Sequence, residues 1–264
     1  MAVGSFINAA VWRIKQQTEK KKSKSSLRST DYSLLKGRSV CPKCGHQLAV
    51  KDLVPVISWL WLRGKCRYCG QPISIQYPIV ELTTAGLFAW SYLALDPANM
   101  RQYVDFGFWL AILTGLVVLA VYDWLHKELP NKVMWILIGL TFAQLLVLAV
   151  WTQSPQMLGL NLMAGLLVGL FFYALFAFSK GRWMGGGDVK LAFLMGLLLG
   201  GRNVLVALFV GFNSAALFSV FSMAAKKLSR KDTIPFGPFL IAGTIIARLY
   251  GNQLINAYIN LFTP

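Results

Sequence analysis

The sequence predicts an all-α polytopic membrane protein with a small cytosolic tetra-cysteine zinc-binding insert, and three observations support this fold class. Hydrophobic residues make up 56% of the 264 residues, and the mean hydropathy is +0.56. Charged residues make up only 14%, against about 25% in a typical soluble domain. All four cysteines lie between residues 41 and 69, and this clustering is typical of a metal site rather than of a disulfide framework.

Apolar segments after the cysteine insert predict about seven transmembrane helices. They lie near residues 79–95, 104–121, 133–151, 157–178, 191–200, 204–223 and 239–250. The run from Met1 to Trp12 is also apolar, but a span needs about 20 residues. We therefore expect an interfacial helix or the end of a longer one there. No cleavable signal peptide is predicted, because no basic segment precedes this run and no small-residue cleavage site follows it.

The positive charge predicts how the helices are oriented. Lys and Arg number 26 against 10 Asp and Glu, a net charge of +16. Nucleic-acid binding would also account for this excess, but the basic residues lie between apolar segments, as the positive-inside rule describes. Their alternation places five regions in the cytoplasm: the lysine-rich linker (residues 13–38), the cysteine module (residues 39–76) and the links 122–132, 179–190 and 224–234. The linker is expected to lie near anionic headgroups.

Two Cys-x2-Cys pairs predict a structural zinc site. The pairs, separated by 21 residues, are Cys41 with Cys44 and Cys66 with Cys69. Each pair can present two thiolates to one ion, and four thiolates close the tetrahedral shell of structural zinc. Gly45 and Gly70 each follow a second cysteine, where a tight turn favours positive φ. The alternative is four unrelated buried cysteines, and His46 is expected to be a neighbour rather than a ligand.

Two aspartates stand apart from the other acidic residues. Six acids lie in basic loops, in the cysteine module or beside an external link and are expected to be solvated: Glu19, Asp31, Asp52, Asp96, Asp105 and Asp232. Glu81 opens the first long apolar segment, and Glu128 lies in a charged link. Asp123 ends the apolar run 116–122, and Asp188 follows three glycines. Both therefore lie at a cytosolic membrane boundary, where ionisable groups are costly and usually functional.

Two carboxylates held close together can catalyse peptide hydrolysis. Because both cannot ionise easily, one keeps a proton near neutral pH. The ionised member can then draw a proton from water while the protonated member polarises a peptide carbonyl. The glycines before Asp188 would let a substrate backbone approach closely. A boundary aspartate is also a common helix cap, and a glycine run is a common hinge or packing surface. The spacing does not establish that the two aspartates meet.

Other catalytic chemistries lack their motifs. The two histidines, His46 and His126, form no His-Glu-x-x-His metalloprotease motif, and neither lies in a hydrolase-like serine motif. The sequence contains no P-loop and no Gly-x-Gly-x-x-Gly dinucleotide loop. An ion-coupled transporter or channel is an alternative to an enzyme. The absence of an internal repeat and the boundary position of both acids argue against it.

Blocks between residue 4 and about residue 243 resemble, in the same order, those of one family. The blocks are 4–8 with Arg13, 39–44, 52–55, 58–60, 62–66, Cys69, 77–81, Asp123 with 129–131, 185–191 and 235–238. They resemble the bacterial type IV prepilin peptidases, which belong to the Gly-x-Gly-Asp membrane aspartic proteases. Presenilin-like proteases share the Tyr-Asp and Gly-x-Gly-Asp elements, seen here at Tyr122-Asp123 and at residues 185–188, but lack the tetra-cysteine module.

The resemblance implies an endopeptidase of the bacterial inner membrane whose active site and zinc module face the cytoplasm. It implies Asp123 and Asp188 as the catalytic pair, with a surrounding active-site loop. That loop comprises Gly185, Gly186, Gly187 and Lys190. The implied substrates are prepilins or pseudopilins of type IV pili or type II secretion, whose basic leaders are cleaved after a glycine. The implied second activity is N-methylation of the new amino terminus with S-adenosylmethionine.

The predicted domain organisation follows from these assignments. A hydrophobic segment 1–12 and a basic cytosolic linker 13–38 precede the zinc module 39–76 and a transmembrane peptidase domain 77–264. The family has a full first transmembrane helix, whereas this chain begins inside it, so we expect a shortened start or a first helix that only half inserts. The remaining alternative is a noncatalytic assembly factor of a pilus or secretion machine, with zinc as its docking module.

Overall fold

The structure is a computed structural model that describes residues 1–22, 39–225 and 234–262. Within those residues the regular secondary structure is helical, apart from two isolated β-bridges in the cysteine module. The helices are α1 (Ala2–Lys22), α2 (Ile57–Trp61), α3 (Gln76–Leu95), α4 (Met100–His126), α5 (Asn131–Thr152), α6 (Pro155–Ser179), α7 (Gly186–Ala224) and α8 (Gly237–Phe262). Asp31 and Asp232 lie outside the described residues, as do four of the nine basic residues of the linker and all four of link 224–234.

Five of these helices, α3 to α7, are long and apolar enough to cross a membrane. The prediction of an all-helical polytopic membrane protein is therefore confirmed, whereas a count of about seven spans is not. Helix α1 continues past Trp12 into the basic segment. Its second half is rich in Gln, Glu and Lys, which are good helix formers, and Lys15 pairs with Glu19 one turn later.

Helix α7 consists of two helical stretches that meet at a kink, and these stretches contain the two apolar segments that were predicted as separate spans. Its 39 residues would measure about 58 Å if straight, against about 30 Å of bilayer hydrocarbon. Gly200 breaks the helix with φ 73° and ψ −174°. Asn161 of α6 donates its side-chain N–H to the carbonyl of Leu197 at 2.9 Å. A neighbouring helix thus satisfies a carbonyl beside the break, which makes the break tolerable in lipid.

The chain forms two compact units, residues 1–90 and 91–264. In the second unit, α7 packs extensively against both α6 and α8, while α4 contacts α5 and α8. Small residues let these helices approach closely. A methyl group on Gly196 of α7 would lie 2.6 Å from the carbonyl oxygen of Ala164 in α6, and one on Gly211 would lie 3.2 Å from Cα of Leu240 in α8.

A polar cluster links three helices of the second unit. Asp105 of α4 accepts hydrogen bonds from Gln144 of α5 and from the guanidinium of Arg248 in α8. The Asp105 side chain is 25% exposed and that of Arg248 is 22% exposed. The prediction that Asp105 is simply solvated was therefore wrong. Its carboxylate meets a cation and an amide that come from distant parts of the sequence.

The first unit places α1 against the start of α3. A methyl group on Gly4 would lie 2.6 Å from Cα of Glu81, so only glycine permits this approach. Further along α1, Asn8 donates its side-chain N–H to the carbonyl of Tyr77 at 3.1 Å. Residues 39–75, which precede α3, form the cysteine module.

Candidate active site and zinc centre

Asp123 lies in the last turn of α4 and is 6% exposed. Its Oδ2 atom accepts a hydrogen bond of 3.0 Å from the backbone N–H of Gly237, the first residue of α8. A free N–H at a helix start carries partial positive charge and favours a carboxylate. The packing of α8 therefore provides a stabilising partner for this buried acid.

Asp188 lies in the first turn of α7 and is partly exposed. Its Oδ2 atom accepts a hydrogen bond of 3.1 Å from the backbone N–H of Gly185, the residue before the helix. This bond is one of the two that make up a capping box. The other is missing, because Gly185 has no side chain that could accept from the Asp188 backbone N–H. The capping alternative raised by the sequence thus describes the local geometry of Asp188, and it leaves the second carboxylate oxygen outside this bond.

The structure brings Asp123 and Asp188 together at one end of the helical bundle. Their side chains are close enough for the two charges to interact. Leu129 lies close to a glycine beside each aspartate: a methyl group on Gly187, the neighbour of Asp188, would lie 2.8 Å from Leu129 Cβ, and one on Gly237, which binds Asp123, would lie 3.5 Å from Leu129 Cδ2. Helix α4 ends at this site while α7 and α8 begin there. The shared end of these helices is where a membrane boundary is expected.

The glycine loop before Asp188 exposes backbone. Gly185 and Gly186 are exposed, and a methyl group on Gly186 would meet its nearest neighbour, the ring of Phe176, at 4.0 Å. Lys190, one turn into α7, donates from Nζ to Oδ1 of Asn131 at 2.6 Å. Asn131 begins α5, so the lysine is bound to another helix at the same end of the bundle.

The four cysteines form one cluster in the first unit. Their sulfur atoms all lie within 4.8 Å of one another, and those of Cys41 and Cys69 are 4.0 Å apart. A zinc ion at about 2.3 Å from each thiolate would set the sulfurs about 3.8 Å apart. Because the number, type and spacing of the donors all suit zinc, the cluster fits a closed four-thiolate site.

Two similar turns present the cysteines. In the first, Cys41 N–H donates to His46 and Gly45 N–H donates to Cys41; in the second, Cys66 N–H donates to Gln71 and Gly70 N–H donates to Cys66. Gly45 and Gly70 have φ of 71° and 68°, which confirms the positive φ predicted for both. The His46 ring lies 3.7 Å from that of Tyr68, so it packs beside the cluster.

Asp52 connects the segment between the two turns to the second one. Its side chain is 3% exposed, so the prediction that it is solvated was wrong. It accepts hydrogen bonds from Arg67 at 2.7 Å, from the hydroxyl of Tyr68 at 3.1 Å and from the Ala49 N–H at 3.2 Å. Burial alone would raise the pKa of Asp52, but these bonds and the Arg67 charge outweigh it and hold the pKa below its usual value.

Sequence reasoning missed three residues of functional interest. Gly237 was noticed only as part of a Pro-Phe-Gly-Pro block, and Asn131 only as the end of a link. Glu81 was expected merely to open a span, yet it is 6% exposed and its Oε2 accepts the Val56 N–H at 2.7 Å. Its position at the start of an apolar segment was the available signal, because a carboxylate there needs a partner.

Two family models match this chain, one over the first unit and one within the second. Residues 1–95 match the family model "Bacterial Peptidase A24 N-terminal domain", and residues 110–220 match "Type IV leader peptidase family". A Prepilin leader peptidase/N-methyltransferase from Bacillus subtilis (strain 168) is 31% identical over 231 residues, which cover 87% of this chain and 88% of that protein. Proteins of the same name from Aeromonas hydrophila and Dichelobacter nodosus are each 31% identical, over 99% and 96% of this chain and 92% and 90% of their own lengths. No solved structure matches. The chain therefore belongs to the type IV leader peptidase family.

Proposed function

We propose that this chain is a membrane aspartic endopeptidase that removes the basic leader of prepilins or pseudopilins after a glycine. The observation that carries the proposal is the meeting of Asp123 and Asp188 at the common end of α4, α7 and α8, beside an exposed glycine loop. The family and the names of the relatives support the same reaction. On this proposal prepilins, which the relatives' names state as their substrates, are also substrates of this chain.

In the proposed reaction the two carboxylates act as one unit that holds a single proton. The ionised carboxylate takes a proton from the attacking water, and the protonated one donates to the carbonyl oxygen of the scissile peptide. The N–H groups of Gly237 and Gly185 each bind one oxygen of the pair. They thereby hold the carboxylates in position without supplying a proton to the reaction.

The glycine loop is proposed to receive the substrate backbone. Gly185, Gly186 and Gly187 place no side chain beside Asp188, so an extended peptide can lie against the loop. Lys190 is proposed to support this loop, because its bond to Asn131 connects α7 to α5 next to the catalytic pair.

The proposed orientation has the catalytic pair and the zinc module at the cytosolic face of the bacterial inner membrane. It is supported by the basic residues of link 179–190, which contains Asp188, and by those of the cysteine module. A substrate whose basic leader precedes an apolar helix would present its cleavage site at this boundary. The predicted domain boundaries at residues 12, 38 and 76 remain part of this proposal.

Two bound groups belong to the proposed function. Cys41, Cys44, Cys66 and Cys69 would hold a structural zinc ion that fixes the fold of the module. S-adenosylmethionine would supply an electrophilic methyl group for N-methylation of the new amino terminus, an activity that the relatives' names carry.

The test compares prepilin cleavage in membranes by the wild type, Asp123→Asn and Asp188→Asn at matched expression. Both variants are expected to lose cleavage while still inserting. Asp96→Asn is the matched control, because Asp96 is an exposed aspartate in the α3–α4 link and its φ of 37° suits asparagine. If Asp123→Asn and Asp188→Asn both cleave prepilin as fast as Asp96→Asn does, the mechanism is refuted and a noncatalytic assembly factor is favoured. Proton-coupled flux in vesicles would instead favour a transporter.

A further inference from the structure

The first unit contains a cavity of about 370 Å³ that the peptidase reaction does not use. Its volume is within the range of about 300 to 1,000 Å³ usual for small-molecule sites. Apolar and aromatic side chains form most of its wall, together with a few ionisable groups, which is also the usual composition of such sites. Its wall includes Ala9, Trp12, Arg13, Trp59, Tyr77 and Glu81.

The cavity brings together sequence blocks that lie far apart in the chain. Arg13 accompanies the first block, Trp59 belongs to the stretch between the cysteine pairs, and Tyr77 and Glu81 begin α3. Packing of the Trp59 ring against Gly64, together with its 3.2 Å hydrogen bond to the carbonyl of Ile73, fixes one wall. Three separate segments thus converge on one concave surface, which peptide cleavage by the aspartate pair does not explain.

Glu81 gives this cavity a buried negative group. It is 6% exposed, and one of its oxygens accepts the Val56 N–H at 2.7 Å. A carboxylate can accept about four hydrogen bonds, so it can also bind a cationic ligand. Val56 has φ 63° and ψ −49°, a strained conformation for a β-branched residue. Such strain is often held at binding sites.

Asn8, which does not line the cavity, positions one of its wall residues. It is 4% exposed, and its side-chain N–H donates to the carbonyl of Tyr77 at 3.1 Å.

We propose that this cavity binds S-adenosylmethionine, an inference that rests on the proposed N-methyltransferase function. The faces of Trp12 and Trp59 suit the adenine ring and the sulfonium cation. The carboxylate of Glu81 suits the positive charges of the sulfonium and ammonium groups, and the guanidinium of Arg13 suits the ligand carboxylate. The cavity thus offers an aromatic, an anionic and a cationic group to a ligand that contains the complement of each.

The methyl transfer balances without any further reactant. The lone pair of the neutral α-amine forms a bond to the methyl carbon while the carbon–sulfur bond breaks. The electron pair of that bond stays on sulfur, and the N-methylammonium group then releases one proton to water. Since the product S-adenosylhomocysteine has lost the sulfonium charge, a carboxylate in the site favours the donor over the product.

The test measures binding of S-adenosylmethionine and S-adenosylhomocysteine to the purified, zinc-containing full chain by titration calorimetry. Glu81→Gln is expected to weaken binding of the donor about tenfold or more, because it removes a charge-assisted contact. It should weaken product binding less, so that the donor-to-product affinity ratio falls. Ala9→Phe fills the cavity and should weaken binding of both. Glu19→Gln is the matched control, because Glu19 is on α1 and its side chain is 57% exposed. This variant should bind both ligands as tightly as the wild type does.

Zinc content and a single elution peak show that each variant is folded. The inference is wrong if the wild type cleaves prepilin but does not bind S-adenosylmethionine. It is also wrong if folded Glu81→Gln and Ala9→Phe bind it as tightly as the wild type. If Glu81→Gln raises the KM for prepilin and leaves donor binding unchanged, the cavity holds the leader peptide instead. Donor binding by a chain that cleaves no prepilin would refute the proposed peptidase alone, so the two failures are distinguishable.

Discussion

The backbone N–H of Gly237 donates a 3.0 Å hydrogen bond to Oδ2 of Asp123, 114 positions earlier in the chain. Asp188 receives a similar bond from Gly185 at the start of α7. Each aspartate of the pair is thus held by a backbone N–H at the beginning of a helix, where the helix dipole favours negative charge. The contact with Gly237 also depends on the absence of a side chain, because a methyl group there would lie 2.6 Å from Asp123 Oδ2.

Gly237→Ala is expected to lower the kcat for prepilin cleavage by between about 10- and 100-fold, because small displacements of catalytic groups are costly. The added methyl group would lie 2.6 Å from Asp123 Oδ2 and must displace that carboxylate. The measurement is cleavage by purified variants, with Gly139→Ala in α5 as control, since a methyl group there meets nothing within 4 Å. Equal kcat for the two variants would show that this close approach is dispensable.

Gly187→Ala is expected to reduce activity and thermal stability more than Gly186→Ala does. At Gly187 the new methyl group would lie 2.8 Å from Leu129 Cβ, which cannot rotate away, whereas at Gly186 the nearest atom is 4.0 Å away. The measurement compares unfolding temperature and cleavage rate for the two variants. A larger loss from Gly186→Ala would argue that exposed backbone, rather than helix packing, sets the requirement for glycine.

The Asp105–Arg248 pair is expected to stabilise the packing of α4 against α8. Either Asp105→Asn or Arg248→Gln leaves a charge without its partner, at a cost of about 2 kcal/mol, less than for a fully buried pair because both side chains are about one quarter exposed. The double variant should lose less unfolding free energy than the two single variants lose in sum. Thermal unfolding in detergent measures all three. Additive losses would mean that the pair contributes no coupling.

Zinc removal is expected to unfold the cysteine module. The wild type should contain one zinc ion per chain, and Cys66→Ser or prolonged chelation should remove it, since a three-thiolate site binds zinc more weakly. Elemental analysis and protease sensitivity of residues 39–76 report the outcome. Cys66→Ser is compared with Ser74→Ala, a hydroxyl change in the same unit outside the cluster. Full zinc content in Cys66→Ser would contradict the four-thiolate assignment.

Asp52→Asn is expected to lower the unfolding temperature of the zinc-loaded protein at neutral pH. Because the pKa of Asp52 is held below its usual value, its contribution to stability is present above that usual value and is lost as pH falls through the lower, folded-state pKa. The difference between wild type and variant should therefore stay constant from pH 8 to about pH 5. A difference that disappears already at pH 6 would show that another group titrates.

The sequence by itself determined the membrane class, the candidate metal-binding cysteines and the candidate catalytic aspartates. Hydropathy and the clustering of four cysteines are local properties, so they predict an apolar helical bundle with a metal-binding insert without knowledge of packing. The positive φ of Gly45 and Gly70 was predictable for the same reason, because each tight turn closes within a few residues. The family resemblance was likewise readable from separate blocks, and the comparisons confirm it.

Only the tertiary structure decided which distant residues meet. The bond from Gly237 to Asp123, the approach of Leu129 to two glycines and the pairing of Asp105 with Arg248 all join separate helices. The break at Gly200 separates two helical stretches of α7, and Asn161 of α6 donates to the carbonyl of Leu197 beside it. These contacts depend on how helices pack, and a periodic pattern along one helix carries no information about its neighbours. The candidate catalytic pair and the cavity lined by Glu81 are therefore properties of the fold.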